Sequence, residues 1–302
     1  MHRVCVIYNP VAGEGRAQMV VNQFVGFLSQ ASIHHEVTTW ATEGNNHATL
    51  LAEKAYRLGY REFVCVGGDG TFNEMCQPLV GRNNIRVSLI PAGTGNDLAL
   101  GLGFSSSFVP EEWDSFFRDE AVSIDVGKCN ERYFFNTMGI GFDALVASEF
   151  RHWSWFPKKW RYYLPVFKNL LFYKGYKLTF AGKQRDVFLL SIGNGRSSGG
   201  GIALNPSASL NDGLLDLCWI ENVEIGKRVK NLFLALQGKH TSLPFVHEEK
   251  FTFFSISSVS PCVSHIDGEI YYLERWAISV YPEALPMVVN ESRATLVKRR
   301  SL

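Results

Sequence analysis

The chain has 302 residues, 46% hydrophobic and 20% charged, with a net charge of +1 and a pI near 7.7, which suits one large globular domain or two. That balance argues against a nucleic-acid binder held by bulk charge, and the scattered cysteines (Cys5, Cys65, Cys76, Cys129, Cys218, Cys262) read as reduced cytoplasmic thiols rather than staples or metal ligands. A strand entered directly from Met1 leaves no signal peptide, and no run of about eighteen apolar residues offers a spanning helix.

Residues 4–8 form an apolar strand that ends in a glycine loop, Asn9-Pro10-Val11-Ala12-Gly13-Glu14-Gly15-Arg16. The helix after it places Val20, Phe24, Phe27 and Leu28 at i, i+4, i+7 and i+8. Residues 35–40 are a second strand. The polar turn Thr42-Glu43-Gly44-Asn45 leads to a helix expected to carry Leu50, Leu51, Ala55 and Leu58 on one side. Residues 63–66 are a short buried strand that breaks into Gly67-Gly68-Asp69-Gly70. Thr71, Asn73 and Glu74 then open a helix whose apolar side includes Met75 and Leu79. A fourth strand, 86–90, ends in a third glycine loop, Pro91-Ala92-Gly93-Thr94-Gly95-Asn96-Asp97.

Strands alternating with helices imply right-handed βαβ units and a parallel sheet. Ligands of such sheets bind beyond the carboxyl ends of the strands, where all three loops would converge. Glycines admit close backbone approach, and helix-start amides favour anions, so the layout suits phosphate. An aspartate beside phosphate needs a cation between them, so Asp69 suggests Mg²⁺. GGDG alone reads as a tight turn with an acidic residue facing solvent; three loops in register, with Asp69 and Asp97 among them, favour the phosphate site. The first loop lacks the lysine and hydroxyl of GxxxxGK[ST], and no GxGxxG follows the first strand.

A short helix is expected at 113–118, and the texture changes near residue 122. Residues 133–138, 187–192, 214–219, 251–256 and 276–280 are short strand candidates of an antiparallel sandwich. The glycine run 193–201 and Asn211-Asp212-Gly213 read as turns. Asp267-Gly268 signals a hairpin. In the aromatic and basic stretch 151–177, Trp160, Tyr163, Leu164, Phe167, Leu170 and Leu171 line one helical face, with Pro165 kinking or starting the helix. That stretch reads either as a helix packed on the sandwich or as an interfacial element meeting anionic headgroups.

NPVAG, GGDGTFNE and PAGTGNDLA together resemble the diacylglycerol kinase catalytic-domain family, which includes bacterial soluble lipid kinases and sphingosine kinases. NAD kinases and phosphofructokinases have a related fold and a GGDG-type loop; GTGND after GGDGTFNE points to the lipid kinases. The resemblance spans residues 3–282. It implies an α/β plus all-β fold: a Rossmann-like parallel α/β domain of the NAD kinase/phosphofructokinase type at 1–122, then an antiparallel β-sandwich domain at 123–284. The family's last segment runs back to the first domain, as 285–302 would here.

By resemblance the enzyme is an ATP-dependent lipid kinase phosphorylating a lipid hydroxyl, with diacylglycerol the default acceptor. Sphingoid bases or phosphatidylglycerol-type lipids come behind it, then an NAD kinase-like activity, then a non-catalytic nucleotide- or lipid-binding module. ATP and Mg²⁺ are implied. Asn9, Pro10, Gly13, Thr42, Gly67, Gly68, Gly70, Thr71, Asn73, Glu74, Gly93, Thr94, Gly95 and Asn96 match the nucleotide-binding positions, and Asp69 and Asp97 the catalytic carboxylates, with Asp125 near the metal. A structural Mg²⁺ would use the Asp212 side chain and the carbonyls of Ser209 and Leu214. Glu269, in His265-Ile266-Asp267-Gly268-Glu269, matches the general base, because a hydroxyl attacking the γ-phosphorus must lose its proton. Asp267 would orient the turn. The expected setting is cytoplasmic, with a lipid substrate met at the inner face of the membrane, no nucleic acid, and a homodimer left open.

Overall fold

Four parallel strands organise the first part of the chain: β1 (His2–Tyr8), β2 (His35–Ala41), β3 (Glu62–Gly67) and β4 (Arg86–Pro91), in the order β2-β1-β3-β4. This computed structural model describes residues 2–30, 35–82, 84–105, 112, 121–150, 158–290, 293–295 and 297; the helix expected at 113–118 and the stretch 151–157 lie outside the described residues. Cys5, Val6, Ile7, Phe63, Cys65, Val66, Val87 and Leu89 are all buried. Both faces of the sheet are covered, which is why these strands read as continuous apolar runs rather than alternating ones.

Helix α1 (Arg16–Gln30) buries Ala17, Val21, Phe24 and Leu28. In α2 (His47–Arg57) the expected apolar side is corrected: Leu50 and Leu58 are 63% and 52% exposed, and the buried stripe is Ala48, Ala52 and Ala55. Small residues at i, i+4 and i+7 let α2 lie close against α3 (Asp69–Cys76), where Thr49 Oγ1 donates to the Glu74 carbonyl at 2.7 Å. Helix α3 ends just ahead of Pro78 and buries Phe72, Met75 and Cys76, with Leu79 beneath the following turn. A short helix, α4 (Asp97–Gly101), follows β4.

The chain divides into two compact units: Met1–Val126, Ser209–Asp212 and Tyr281–Leu302; then Gly127–Ala208 and Gly213–Val280. The first unit thus continues past residue 122 and recovers two later segments. Asp125 ties them in, its N–H donating to the Leu210 carbonyl and its Oδ1 accepting the Glu283 amide at 2.9 Å. Met287 pairs in parallel with Val87 of β4, the Asn290 amide donates to the Leu102 carbonyl, and Gly81 N–H donates to Ala284.

The second unit is antiparallel. From Gly127 the end of β5 (Ala121–Cys129) pairs with β6 (Arg132–Phe134). The following strands are β7 (Thr137–Gly141), β8 (Tyr176–Phe180), β9 (Lys183–Gly193), β10 (Leu215–Glu221), β11 (Val246–Phe251), β12 (Phe253–Ile266) and β13 (Glu269–Val288). They run in the order β11-β10-β9-β7-β12-β13, with β8 pairing both β9 and β12. Strand alternation makes two cores. Leu215 and Leu217 of β10 join Phe134, Leu190, Ile192 and Trp276 on one face. Cys218 and Ile220 join Phe188 and Leu189 on the other, under three helices: α5 (Phe142–Phe150), α6 (Lys158–Phe172) and α7 (Ile225–Ala235).

Helices α5 and α7 were not expected. Each is short, and a short helix draws its stability from the face it buries rather than from its own propensity. The candidate strand 133–138 resolves into β6 and β7, and 251–256 straddles the break at Thr252 between β11 and β12.

All six cysteines are free and buried, and burial pushes the Cys5, Cys129 and Cys218 thiols up to about 12. A thiol reagent at pH 8 should therefore label none of them in the native protein and all six in guanidinium, read by mass spectrometry.

Candidate active site

Each strand of the first unit delivers a turn at its carboxyl end, and three of these turns touch. After β1, the Asn9 amide extends the ladder to the Val66 carbonyl, and Asn9 Oδ1 accepts the Val11 N–H at 3.1 Å, which starts the turn through Pro10. Gly13 has φ +58, and a Cβ there would lie 2.1 Å from the Ala92 carbonyl oxygen, so the first loop is seated on the third. A Cβ on Gly93 would lie 2.4 Å from the Gly68 Cα, so the second and third loops meet backbone to backbone. The Thr42 amide donates to the Tyr8 carbonyl at 2.8 Å, which sets the turn after β2 beside the first loop.

Arg16 joins the first and third loops: Nε donates to the Gly13 carbonyl at 3.2 Å and Nη2 to the Gly93 carbonyl at 3.3 Å. The sequence assigns Arg16 no role, because a lone arginine at a helix start does not disclose a partner in a distant loop.

Helix α3 begins at Asp69, with Gly68 as its extended N-cap, so Asp69 and Gly70 belong to the helix rather than to a preceding turn. The amides of Asp69, Gly70 and Thr71 precede the first intrahelical bond, Phe72 N–H to the Gly68 carbonyl. Gly67 packs on Thr71, whose Cβ would be 2.8 Å from a Cβ at 67. Asp69 Oδ2 accepts the Asn96 amide at 2.9 Å. The Cβ position of Gly95 lies 3.1 Å from Asp69 Oδ2 and 3.6 Å from Asp97 Oδ2, so the two carboxylates converge on that glycine.

Some candidate side chains serve the scaffold. Asn96, left-handed with φ 58, accepts the Gly93 N–H at 3.0 Å and donates back to the Gly93 carbonyl at 3.0 Å, bracing the loop around exposed Thr94. Asn73 is buried and accepts from Gln77 Nε2 at 2.9 Å. Glu74 is only partly buried. Burial first, then the charges of Asp69 and Glu74, raise the Cys65 thiol beneath them.

Asp125, Ser209 and Asp212 fall in the first unit, Leu214 in the second. Ser209 Oγ donates to Asn211 Oδ1 at 3.3 Å. Among the described residues, no group of three or more His, Cys, Asp or Glu side chains is arranged to hold a metal ion.

In the second unit, Asp267 (φ 44) and Gly268 (φ 83) form the two-residue turn between β12 and β13. The Asp267 carboxylate accepts three backbone amides: Phe135 at 2.8 Å, Asn136 at 3.1 Å and Thr137 at 3.0 Å. Glu269 remains one-third exposed, and its Oε2 accepts from Arg132 Nη2 at 2.9 Å and from the Tyr271 hydroxyl at 2.8 Å. Burial, then the bond to Glu269, pushes the Tyr271 phenol up to about 12, so it stays a donor.

Register places Glu269 opposite Ile266 and His265 opposite Ile270. Alternation therefore puts Glu269 and Tyr271 on the face of the Trp276 core and His265 on the helix-covered face. That second face holds an apolar cavity of about 150 Å³, with Phe142, Val166, Leu170, Leu204 and Leu232 in its wall, and with Asp143, His265 and Gly268 also lining it.

Residues 3–129 match the family model described as the diacylglycerol kinase catalytic domain, and residues 136–289 the one described as the YegS C-terminal NAD kinase beta sandwich-like domain. A diacylglycerol kinase of Staphylococcus haemolyticus is 30% identical over 270 residues, 87% of this chain and 81% of that protein. One from Staphylococcus aureus is 29% identical over 279 residues, 88% and 86% of the two chains. The fold is shared with a solved structure of a diacylglycerol kinase from Bacillus anthracis, at a TM-score of 0.77 and 23% identity, over 96% of this chain and 98% of that one. The chain thus belongs to the diacylglycerol kinase catalytic-domain family and is an ATP-using phosphotransferase with an alcohol acceptor.

Proposed function

We propose that this lipid kinase transfers the γ-phosphate of ATP to the free hydroxyl of diacylglycerol, giving phosphatidic acid. The observation that carries the transfer is the junction of the three glycine loops, with Asp69 and Asp97 converging on Gly95. In this reading the first unit is Rossmann-like, of the NAD kinase/phosphofructokinase type, and the first-turn amides of α3 and the backbone of Gly93–Gly95 hold the phosphates.

Two carboxylates beside a triphosphate are the oxygen donor set that suits Mg²⁺, which usually takes one or two carboxylates plus phosphate oxygens. Asp69 and Asp97 would hold it, and bound there it would neutralise charge on the phosphates. Asp125 is buried and already binds the Glu283 amide, so in this reading it supports the site from behind. Asp212, with the Ser209 carbonyl, is the proposed structural Mg²⁺ site. Glu269 is the proposed general base, oriented by the hydrogen bonds it accepts from Arg132 and Tyr271.

The apolar cavity of the second unit supports a lipid acceptor over a nucleotide one. The helices that wall it carry exposed apolar side chains outward: Phe167, Leu171 and Phe172 on α6, and Ile225 and Phe233 on α7. Lys174, just after α6, and Lys227 and Lys230 on α7 are also exposed. In this reading that face rests on the anionic inner surface of the membrane. No helix among the described residues is long and apolar enough to cross a bilayer.

The test is incubation of the enzyme with labelled ATP, Mg²⁺ and a panel of diacylglycerol, sphingosine and phosphatidylglycerol, with products identified by mass spectrometry. Phosphatidic acid as the main product is expected; phosphorylation of another lipid alone would reassign the acceptor. The triple variant K174E/K227E/K230E should cosediment with phosphatidylglycerol vesicles about tenfold more weakly, each lysine near an anionic surface contributing about 1 kcal/mol at most. Unchanged cosedimentation would remove the docking face.

A further inference from the structure

Two donors crowd one oxygen of Glu269. Arg132 Nη2, at 2.9 Å, and the Tyr271 hydroxyl, at 2.8 Å, both bond Oε2. Among the described residues nothing bonds Oε1, so that oxygen is left to receive the proton of the acceptor hydroxyl. Tyr271 can orient the carboxylate by itself, and it does so as a neutral phenol, pushed up to about 12. Arg132 adds a charge that orientation does not require.

Arg132, on β6, keeps donors in reserve. Its side chain is 30% exposed and that of Glu269 33%, so the pair is open to solvent on one side. Nη2 serves Glu269, and Nε is enclosed without an acceptor. The amino group Nη1 is left beside the Tyr271 hydroxyl. A planar guanidinium with an amino group to spare suits phosphate, which it can meet through parallel hydrogen bonds.

The charges through the transfer point the same way. Before the step, the Glu269 carboxylate balances Arg132. As the lipid oxygen attacks, its proton passes to Glu269 Oε1 and the new O–P bond forms. The bond from the γ-phosphorus to the β,γ-bridging oxygen breaks, and its electron pair leaves with ADP. Glu269 is then a neutral acid, and Arg132 has lost its counter-charge. At that moment an anionic phosphomonoester stands on the lipid oxygen that Glu269 has just touched, one bond away.

We infer, resting on the lipid-kinase reading above, that Arg132 anchors the product phosphate: once Glu269 holds the proton, the guanidinium turns from it to the phosphomonoester of the lipid. The second unit thereby carries a product site that opens when the base is protonated. When Glu269 gives its proton to solvent, the carboxylate reclaims Arg132 and the product is released.

The test titrates the full-length protein, without ATP, with 1,2-dioctanoylglycerol 3-phosphate in neutral detergent micelles, read by calorimetry. Glu269→Gln copies the protonated acid. It should bind this lipid roughly ten- to a hundredfold more tightly than wild type, the usual weight of hydrogen bonds to charged groups. In an Arg132→Met background the same change should bring little gain, because only repulsion between carboxylate and phosphate is relieved. The exposed lysines of α7 act alike in all four proteins and cancel from the cycle. Binding by Glu269→Gln no tighter than by wild type would overturn the inference, and so would an equal gain in both backgrounds. Arg132→Gln takes the place of the methionine variant if thermal unfolding shows the latter misfolded. A gain that depends on Arg132, in an enzyme that phosphorylates no lipid, would overturn the kinase reading alone. Turnover of dioctanoylglycerol by wild type, with no gain in Glu269→Gln, would overturn only the inference.

Discussion

Gly93→Ala is expected to lower ATP-dependent phosphoryl transfer about a hundredfold and to lower the melting temperature by roughly 2–12 °C. The new methyl would lie 2.4 Å from the Gly68 Cα and 3.1 Å from its N, both backbone atoms with no rotamer to yield. It would also press to 2.9 Å on Asn96 Oδ1, which accepts the Gly93 amide. Such overpacking costs about 1–3 kcal/mol, which accounts for the melting shift. The larger effect is positional. Separating the two loops moves the first-turn amides of α3 away from the carboxylates at Gly95, and a shift near 1 Å costs about a hundredfold in rate. Gly70→Ala is the matched comparison, since nothing lies within 4 Å of a Cβ there. It should leave melting unchanged, so any loss of ATP affinity in that variant reports on phosphate approach. Calorimetry with ATP and thermal unfolding decide between them; normal binding and melting in Gly93→Ala would mean that the loop contact is dispensable.

The same contact shows what the sequence could disclose. GGDG and GTGND identify two loops after two strands, and parallel βαβ order brings them to one edge. Their glycines are explained only in three dimensions, because the atom that forbids a side chain on Gly93 belongs to Gly68. Arg16 escaped the reading for the same reason. On α2 the hydropathy pattern selected Leu50 and Leu58, yet packing against α3 favours the alanines, because closeness rather than hydrophobicity sets that face. Within the sandwich, strand period revealed the β elements, but α5 and α7 are too short for their own periodicity to stand out. The cavity they cover had no sequence signature. His265 stood inside a recognised motif without a partner, because Asp143, 3.0 Å from its Nε2, is far away in the chain.

Glu269→Gln and Asp267→Ala should fail in opposite ways, although the two carboxylates flank a single glycine. Asp267 spends both oxygens on the amides of Phe135, Asn136 and Thr137, and hydrogen bonds to a charged acceptor contribute about 1.5–3 kcal/mol each. Its removal is expected to cost about 3 kcal/mol or more, a melting shift of roughly 6–12 °C, with activity falling only as the hairpin loosens. Glu269 is one-third exposed and binds two side chains, so an isosteric amide disturbs little of the fold. Under the proposed assignment, what glutamine removes is the proton acceptor for the attacking hydroxyl, a loss of about 10²–10⁴ in kcat. ATP affinity should stay unchanged, because the glycine loops proposed to hold the phosphates belong to the other unit. Tyr271→Phe separates support from chemistry: it deletes one donor to Glu269 and keeps the carboxylate, so its kcat should fall far less than that of Glu269→Gln. Measured kcat and melting temperature for the three variants decide the assignment. A Glu269→Gln enzyme that melts early and still turns over at the wild-type rate would exchange the roles given to the two acids.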